Sequence, residues 1–289
     1  MFDIITWTAH PIIVSFSTPW GPIALRWYAL MFIIGFFIGV KLMEKYYKLD
    51  GKNPERVYTL FLYCFFGTLI GARLGHCLFY DPQYYLSHPQ EILMTWKGGL
   101  ASHGGTLGVF LAVLIYAKKD KLPALFVLDR LGIAVAPVAA LIRIGNLFNH
   151  EIYGHETDVP WAFRFITNLG AYEAGRDPIF TAPSHPTQLY EAFCYLMVFF
   201  INAWLYKKYD AGKRPGLLLG SFFLLVFGSR FCIEFVKNVQ EEFEEGMLLD
   251  MGQLLSIPFI IAGIWLIIRA LRRKDSPQLH PSAKASSSR

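Results

Sequence analysis

The sequence predicts an all-α protein that crosses a membrane with about seven helices. Hydrophobic residues make up 54% of the 289 positions and charged residues only 17%, whereas about 25% of the residues in an average soluble domain are charged. The mean hydropathy is +0.37, and apolar stretches recur from residue 24 to residue 271. Because these stretches leave no room for a separate soluble module, we expect one membrane domain over residues 1–274.

Seven apolar stretches define the predicted helices. A bilayer core of about 30 Å is crossed by roughly 20 mostly apolar residues in a helix. The stretches that approach this length are 24–43, 57–77, 99–117, 124–148, 188–206, 215–237 and 249–270. Since backbone polar groups in lipid must bond within their own segment, each stretch is expected to be helical.

Lysine and arginine are concentrated in alternate connections between these helices. The first, third and fifth connections and the end of the chain are basic, through Lys41, Lys45, Lys48, Lys52, Arg56, Lys118, Lys119, Lys121, Lys207, Lys208, Lys213, Arg214, Arg269, Arg272, Arg273 and Lys274. The second connection has only Lys97, and the sixth is acidic, with Glu241, Glu242, Glu244 and Glu245. Basic connections favour the cytoplasmic side, so the N-terminus is predicted outside and the C-terminus inside. The cations form no aromatic-lined patch, so no nucleic-acid partner is expected.

The fourth connection, residues 149–187, is the longest. It contains Trp161, Arg164 and Arg176 among several Pro and Gly residues. Because long loops in compact proteins are often functional, we expect a small ordered cap on the outer face. Residues 275–289 are polar and Ser-rich, which is typical of a disordered tail.

Ionisable residues interrupt several predicted helices, although each costs about 2.5–3.5 kcal/mol to insert. With the predicted topology, the polar residues toward the outer side are Tyr28, Arg73, His103, Arg143, Asn146, Arg230 and Glu234. Arg143, Asn146 and His150 have i, i+3, i+7 spacing and are expected on one helix face. Arg230 and Glu234, at i, i+4, are spaced to pair. For any single pair, a structural ion pair is as good an explanation as a functional site. The occurrence of the whole set at one depth of the bilayer favours a functional site.

Glycines mark two further features. Gly67, Gly71 and Gly75 recur every four residues, which indicates a face for close packing against another helix. His103 lies in a glycine-rich run from residue 98 to residue 105, and glycine permits close approach of a neighbouring chain or ligand. An imidazole has an ordinary pKa near 6.5 and accepts a proton near neutral pH, so His103 is a candidate base.

Other site classes fit the spacing poorly. A zinc site of the His-Glu-x-x-His type starting at His150 would need histidine at position 154, which is Gly154, and His155 would be turned away on a helix. Ser102 and His103 are adjacent and do not face each other on a helix, as a serine protease would require. A transporter remains an alternative, but it would place its site near the midplane between repeated halves. A non-catalytic scaffold would not need His103 among glycines.

The run from Arg143 to Gly154, RIGNLFNHEIYG, resembles the signature of the prolipoprotein diacylglyceryl transferases. Four further blocks in the order of that family are Gly71-Ala72-Arg73, Ser102-His103-Gly104-Gly105, His185-Pro186-Thr187-Gln188-Leu189-Tyr190-Glu191, and Arg230-Phe231 with Glu234-Phe235. Phe227-Gly228 stands where the family has a Tyr-Gly pair, and Lys237 stands where arginine is frequent. The blocks span most of the chain.

The resemblance implies a seven-helix enzyme of the bacterial inner membrane with its active site toward the periplasm. Such an enzyme moves the diacylglyceryl group of phosphatidylglycerol to the lipobox cysteine of a preprolipoprotein, forms a thioether and releases glycerol phosphate. The resemblance implies no metal and no redox cofactor, and its partners are membrane lipids and the lipobox segment. The functional residues it implies are Tyr28, His103, Arg143, Asn146, Glu151, Gly154, Arg230 and Glu234, and Arg73 is a further candidate for binding phosphatidylglycerol.

The chemistry of the residues suggests a role for each. A cysteine thiol has an ordinary pKa near 8.5 and needs a base to supply its thiolate, for which His103 is the candidate. The guanidinium groups of Arg143 and Arg230 suit a phosphate leaving group. We expect Asn146 and Glu151 to position the headgroup, Glu234 to orient Arg230, and Tyr28 to donate a hydrogen bond to the phosphate, while Gly154 is a candidate for binding phosphatidylglycerol through the resemblance alone.

Overall fold

The computed structural model describes residues 4–19, 21–238 and 246–272, and most of them are helical. The α-helices are α1 (Trp27–Leu49), α2 (Arg56–Phe79), α3 (Pro82–Ser87), α4 (Ser102–Lys119), α5 (Ala124–Phe148), α6 (Leu169–Glu173), α7 (Thr187–Lys208), α8 (Leu217–Glu234) and α9 (Met251–Arg272). Short 3-10 helices cover Pro89–Leu93, Thr95–Lys97 and Ala211–Lys213. This confirms the predicted all-α membrane class. The predicted tail 275–289 and the acidic residues 241–245 lie outside the described residues.

Among the described helices, six are long and apolar enough to cross a membrane: α1, α2, α5, α7, α8 and α9. The remaining predicted span, 99–117, corresponds to α4, which has 18 residues. Its first turn contains Ser102 and His103, and its last turn contains Lys118 and Lys119. These polar ends shorten its apolar part, so α4 matches α8 in length but is less apolar than the other six helices.

Two pairs of strands add a small β component that the sequence analysis did not predict. Strands β2 (Ile12–Thr18) and β3 (Gly21–Arg26) form an antiparallel pair, and β1 (Ile5–Thr6) pairs in parallel with β4 (Phe163–Arg164). The predicted start of the first helix at residue 24 is therefore wrong, because residues 24–26 pair with β2 and α1 begins at Trp27.

The described chain divides into two compact units, one of residues 4–42 with 131–272 and one of Met43–Arg130. In the second unit α2 and α4 pack so closely that a Cβ on Gly104 would overlap the backbone of Gly71 and Gly75. Gly108 meets Gly67 in the same way. This confirms the predicted packing face, since helices approach closely where both contribute small residues.

The first unit has its apolar core among α5, α7 and α8. The buried residues of this core are Ala136, Ala140, Ala192, Tyr195, Val198 and Val226. Three of these residues are alanines, from α5 and α7, and α9 packs along α8. Phe227 of α8 stacks on Phe259 of α9 with ring centroids 4.2 Å apart.

Candidate active site

Three predicted residues are connected by hydrogen bonds at the C-terminal end of α5. Arg143 Nη1 donates to Asn146 Oδ1 at 3.2 Å, and Asn146 Nδ2 donates to Glu151 Oε1 at 2.7 Å. Asn149 Nδ2 also donates to Glu151 Oε1, at 3.2 Å. Arg143 and Asn146 lie on one face of α5, as their i, i+3 spacing predicted. The exposed Glu151 is thereby held beside the guanidinium group.

His150 does not share that face, so this part of the prediction is wrong. Helix α5 ends at Phe148, and His150 follows with φ of 54°. Its Nε2 bonds the carbonyl of Ala9 at 2.9 Å, and its Nδ1 accepts the Ile166 N–H at 3.1 Å. A nitrogen that accepts from a backbone N–H carries no proton, so the ring is neutral and protonated on Nε2. Burial also lowers the pKa of His150, which fits this structural role.

Gly154 has a position that only glycine can fill. Its N–H donates to the His185 carbonyl at 2.9 Å, and its own carbonyl accepts from Asn238 Nδ2 at 3.0 Å. A Cβ there would overlap the Val236 carbonyl and lie 2.8 Å from Thr187 Cγ2. The absence of a side chain thus lets the 149–187 segment pack against the residues that follow α8.

Glu191 on α7 joins Arg143 to a second cation that the sequence analysis had not included in the site. Arg143 Nε forms an ion pair with Glu191 Oε2, and Lys237 Nζ lies 3.8 Å from Glu191 Oε1. Glu191 is fully buried and Lys237 is 3% exposed. Neither oxygen of Glu191 accepts a hydrogen bond of regular geometry from any described residue, so its charge is balanced by cations rather than by aligned donors.

A sequence signal for Glu191 was present. It is a carboxylate inside the predicted apolar stretch 188–206, and an ionisable residue within such a stretch points to a partner or a function. Lys237 stands where the family resemblance leads us to expect arginine. Its pairing with Glu191 could not be read from the sequence, because Glu191 lies far away in the chain, on α7.

The predicted pair of Arg230 and Glu234 is present on α8. Arg230 Nε lies 4.0 Å from Glu234 Oε2, and Lys237 Nζ lies 3.4 Å from the same oxygen. The Arg230 side chain is 33% exposed, whereas that of Glu234 is 8% exposed. The Glu234 carboxylate packs against Gly252 of α9, where a Cβ would overlap it. Glu234 is therefore fixed, and Arg230 keeps an accessible face.

Tyr28 reaches the same group of residues from α1. Its ring rests on Gly145, where a Cβ would lie only 2.8 Å from Tyr28 Cδ2. The phenol lies close enough to Glu151 and Arg143 to interact with their charges. The first unit thus brings together seven of the predicted site residues, Tyr28, Arg143, Asn146, Glu151, Gly154, Arg230 and Glu234, with Glu191 and Lys237 added.

Arg73 and His103 belong to the second unit. Arg73 is 3% exposed and donates to the carbonyls of Ile92, Gly98, Gly99 and Glu91 at 2.8, 2.6, 3.1 and 2.5 Å. Its guanidinium also lies 5.0 Å from the ring centroid of Tyr85. A guanidinium has five N–H groups, and most of those of Arg73 are used by these four carbonyls. Arg73 therefore mainly fixes the 91–99 segment. His103 is exposed in the first turn of α4.

Among residues 4–19, 21–238 and 246–272, no three His, Cys, Asp or Glu side chains are grouped so that they could hold a metal ion. The candidate site therefore consists of cations, carboxylates, an amide and a phenol.

The chain is similar to known proteins over most of its length. The family model described as prolipoprotein diacylglyceryl transferase matches residues 14–269, a range that contains every predicted site residue. The chain is 48% identical to the phosphatidylglycerol–prolipoprotein diacylglyceryl transferase of Porphyromonas gingivalis, with 95% of this chain and 98% of that protein covered. It is 43% identical to the protein of that name from Chloroherpeton thalassium (93% and 95% covered) and 41% identical to that from Tolumonas auensis (93% and 98% covered).

Proposed function

The chain belongs to the prolipoprotein diacylglyceryl transferase family, and we propose that it transfers the diacylglyceryl group of phosphatidylglycerol to a lipobox cysteine of a preprolipoprotein. It is a multi-pass membrane transferase. The observation that carries the proposal for the site is the buried charge network of Arg143, Glu191, Lys237 and Glu234. Three of these residues lie on otherwise apolar helices, and Lys237 follows the end of α8. Burying such charges costs free energy unless they are paired. Ionisable residues inside membrane helices therefore usually mark a functional site.

The network supplies a place for the phosphate of the lipid headgroup. Arg143 and Lys237 are each held by buried carboxylates, so their geometry is fixed before the substrate arrives. Arg230 is less buried than Glu234, so part of its guanidinium side chain stays accessible to a substrate. When the glyceryl carbon–oxygen bond breaks, the electron pair passes to a phosphate oxygen. Fixed donors in a site with little water stabilise that developing charge.

The attacking group is the cysteine thiolate of the lipobox. In the proposed step the thiol proton passes to His103, the sulfur bonds the glyceryl carbon, and glycerol phosphate leaves. Asn146 and Glu151 position the headgroup, while Tyr28 donates a hydrogen bond to the phosphate, because a phenol with an ordinary pKa near 10 stays protonated at neutral pH. Glu191 acts as a positioning residue, since it contacts Arg143 and Lys237.

The orientation of the chain completes the proposal. We place it in the bacterial inner membrane as one catalytic domain over residues 1–274, with the N-terminus and the 149–187 cap in the periplasm and the C-terminus in the cytoplasm. The alternation of basic connections supports this orientation. Both substrates are amphiphiles, so they would enter laterally from the bilayer.

Mass spectrometry of a lipobox peptide tests the proposal. The peptide is incubated with the purified protein and phosphatidylglycerol, beside a peptide in which serine replaces the cysteine. We expect a gain of one diacylglyceryl group on the cysteine peptide alone, and about a hundredfold lower rate with His103→Gln, since a general base contributes 10²–10⁴-fold. No adduct from folded wild-type protein would refute the proposed function. A His103→Gln protein with the wild-type rate from pH 6 to pH 8 would remove His103 as the base.

A further inference from the structure

A cavity in the second unit lies outside the residues of the candidate active site. It has a volume of about 320 Å³ and is formed where α1 ends, α2 begins and α4 ends. Its polar lining consists mainly of Lys52, Asn53, Arg56, Lys119, Asp120 and Lys121. We name it the cation cavity, because four of these side chains are cationic and one is anionic.

The one carboxylate of this lining is already paired. Arg56 binds both oxygens of Asp120, whose side chain is only 6% exposed. The hydrogen bond from Arg56 holds the pKa of the Asp120 carboxyl below its usual range. Lys119 Nζ contacts the Tyr63 hydroxyl at 3.2 Å, a neutral partner. The positive charges of Lys52, Lys119 and Lys121 therefore exceed the available negative charge.

Lys121 occupies a backbone position that normally favours glycine. It follows the end of α4 with φ of 54°. The Lys121 N–H bonds the Lys118 carbonyl at 3.3 Å and the Leu122 N–H bonds the Ala117 carbonyl at 2.9 Å, which is the Schellman pattern with its left-handed residue at Lys121. A residue with a side chain is strained there. Strained positions that persist often carry a function, and the lysine side chain lines the cavity.

We propose that the cation cavity binds a phosphate group, carried by the headgroup of an anionic phospholipid or by a small soluble phosphate ester. Its volume is at the lower end of the range for small-ligand pockets, roughly 300–1,000 Å³. Lysine and arginine are the usual phosphate partners, and basic residues next to a membrane helix attract anionic headgroups. Basic residues that serve only to orient the chain would need neither a cavity nor a strained lysine. The proposal does not depend on the transferase activity.

The experiment uses a variant that removes the positive charge of Lys121 without damaging the fold. Lys121→Gly removes one positive charge and relieves the left-handed strain, so its melting temperature should equal or exceed that of the wild type. Lys118→Ala is the matched control, because it removes one exposed positive charge three residues away without changing the lining. Full-length protein in neutral detergent is titrated with dioleoylphosphatidic acid, by native mass spectrometry, and with inorganic phosphate, by calorimetry.

We expect wild-type protein and Lys118→Ala to bind at least one probe with dissociation constants within twofold of each other. Lys121→Gly should bind that probe about tenfold more weakly, which corresponds to about 1.4 kcal/mol. Loss of phosphatidic acid binding alone identifies a lipid headgroup as the ligand, and loss of inorganic phosphate binding identifies a soluble phosphate. Equal binding by the two variants, or no binding of either probe by folded wild-type protein, would overturn the proposal.

Discussion

Arg143 and Arg73 are both arginines on apolar helices, yet their surroundings differ. Arg73 donates to four backbone carbonyls, which are neutral and fixed by the chain. Arg143 instead pairs with the carboxylate of Glu191 and the amide of Asn146, in a network of further charges. The guanidinium of Arg73 therefore holds a loop in place. The guanidinium of Arg143, which lies among charged side chains, is positioned to bind an anionic substrate group. The environment, rather than the residue type, therefore separates a structural arginine from a catalytic candidate.

The largest effect is expected from Arg143→Lys. Lysine keeps the positive charge but loses the planar fork, and removal of one fixed donor to a developing oxyanion costs about 10²–10³ in rate. The transfer rate should fall at least a hundredfold. Arg26→Lys is the matched control, because Arg26 makes a bidentate pair with Glu173 at 2.9 and 2.7 Å in the same unit. Similar rates for the two variants would contradict a special role for Arg143.

Glu191→Gln should have the next largest effect, on both stability and rate. Removing one partner of a buried ion pair costs about 3–5 kcal/mol. Here Arg143 loses its carboxylate partner, and Lys237 keeps only Glu234. We expect a lower melting temperature and a raised KM for phosphatidylglycerol, partly restored by Glu191→Asp. Glu173→Gln breaks a more exposed pair, which is worth about 0–1 kcal/mol. If Glu191→Gln melted no lower than Glu173→Gln, the network would not be the stabilising unit described above.

Arg73→Lys separates loop positioning from substrate binding. Lysine cannot reach all four carbonyls, and each buried polar group left unpaired costs about 1–3 kcal/mol. The melting temperature should fall, while the rate per folded molecule should stay within about threefold of the wild type. A hundredfold lower rate at an unchanged melting temperature would instead support the sequence-based expectation that Arg73 binds phosphatidylglycerol.

The smallest effect concerns His150 and pH. Burial lowers the pKa of His150 in the folded state, so its contribution to stability is complete above the unfolded value near 6.5 and declines as the pH falls below it. The decline is at most about 1.4 kcal/mol per pH unit. Melting curves between pH 7.5 and 5.5 should show a steeper loss for the wild type than for His150→Gln. The difference isolates His150, because His185, whose pKa is also lowered by burial, titrates in both proteins. Parallel curves would contradict this role.

Several features of the site followed from local sequence rules. The pairing of Arg230 with Glu234 and the contact of Arg143 with Asn146 depend on helical spacing alone. His150 does not share the helix face that this spacing predicts, because α5 ends at Phe148 and His150 itself has a left-handed backbone conformation that redirects the chain. The antiparallel pair of β2 and β3 was missed because the residues around 24 continue the apolar character of the first helix.

The sequence by itself determined the membrane class, the approximate bounds of the long helices and the glycine face of α2, because insertion energy and helical periodicity are properties of neighbouring residues. Tertiary structure alone decided that Glu191 joins Arg143 to Lys237, that Arg73 binds carbonyls, and that the lysines around Asp120 line one cavity. Those contacts join residues from separate elements. Their distances depend on how helices are rotated and packed, which no local pattern specifies.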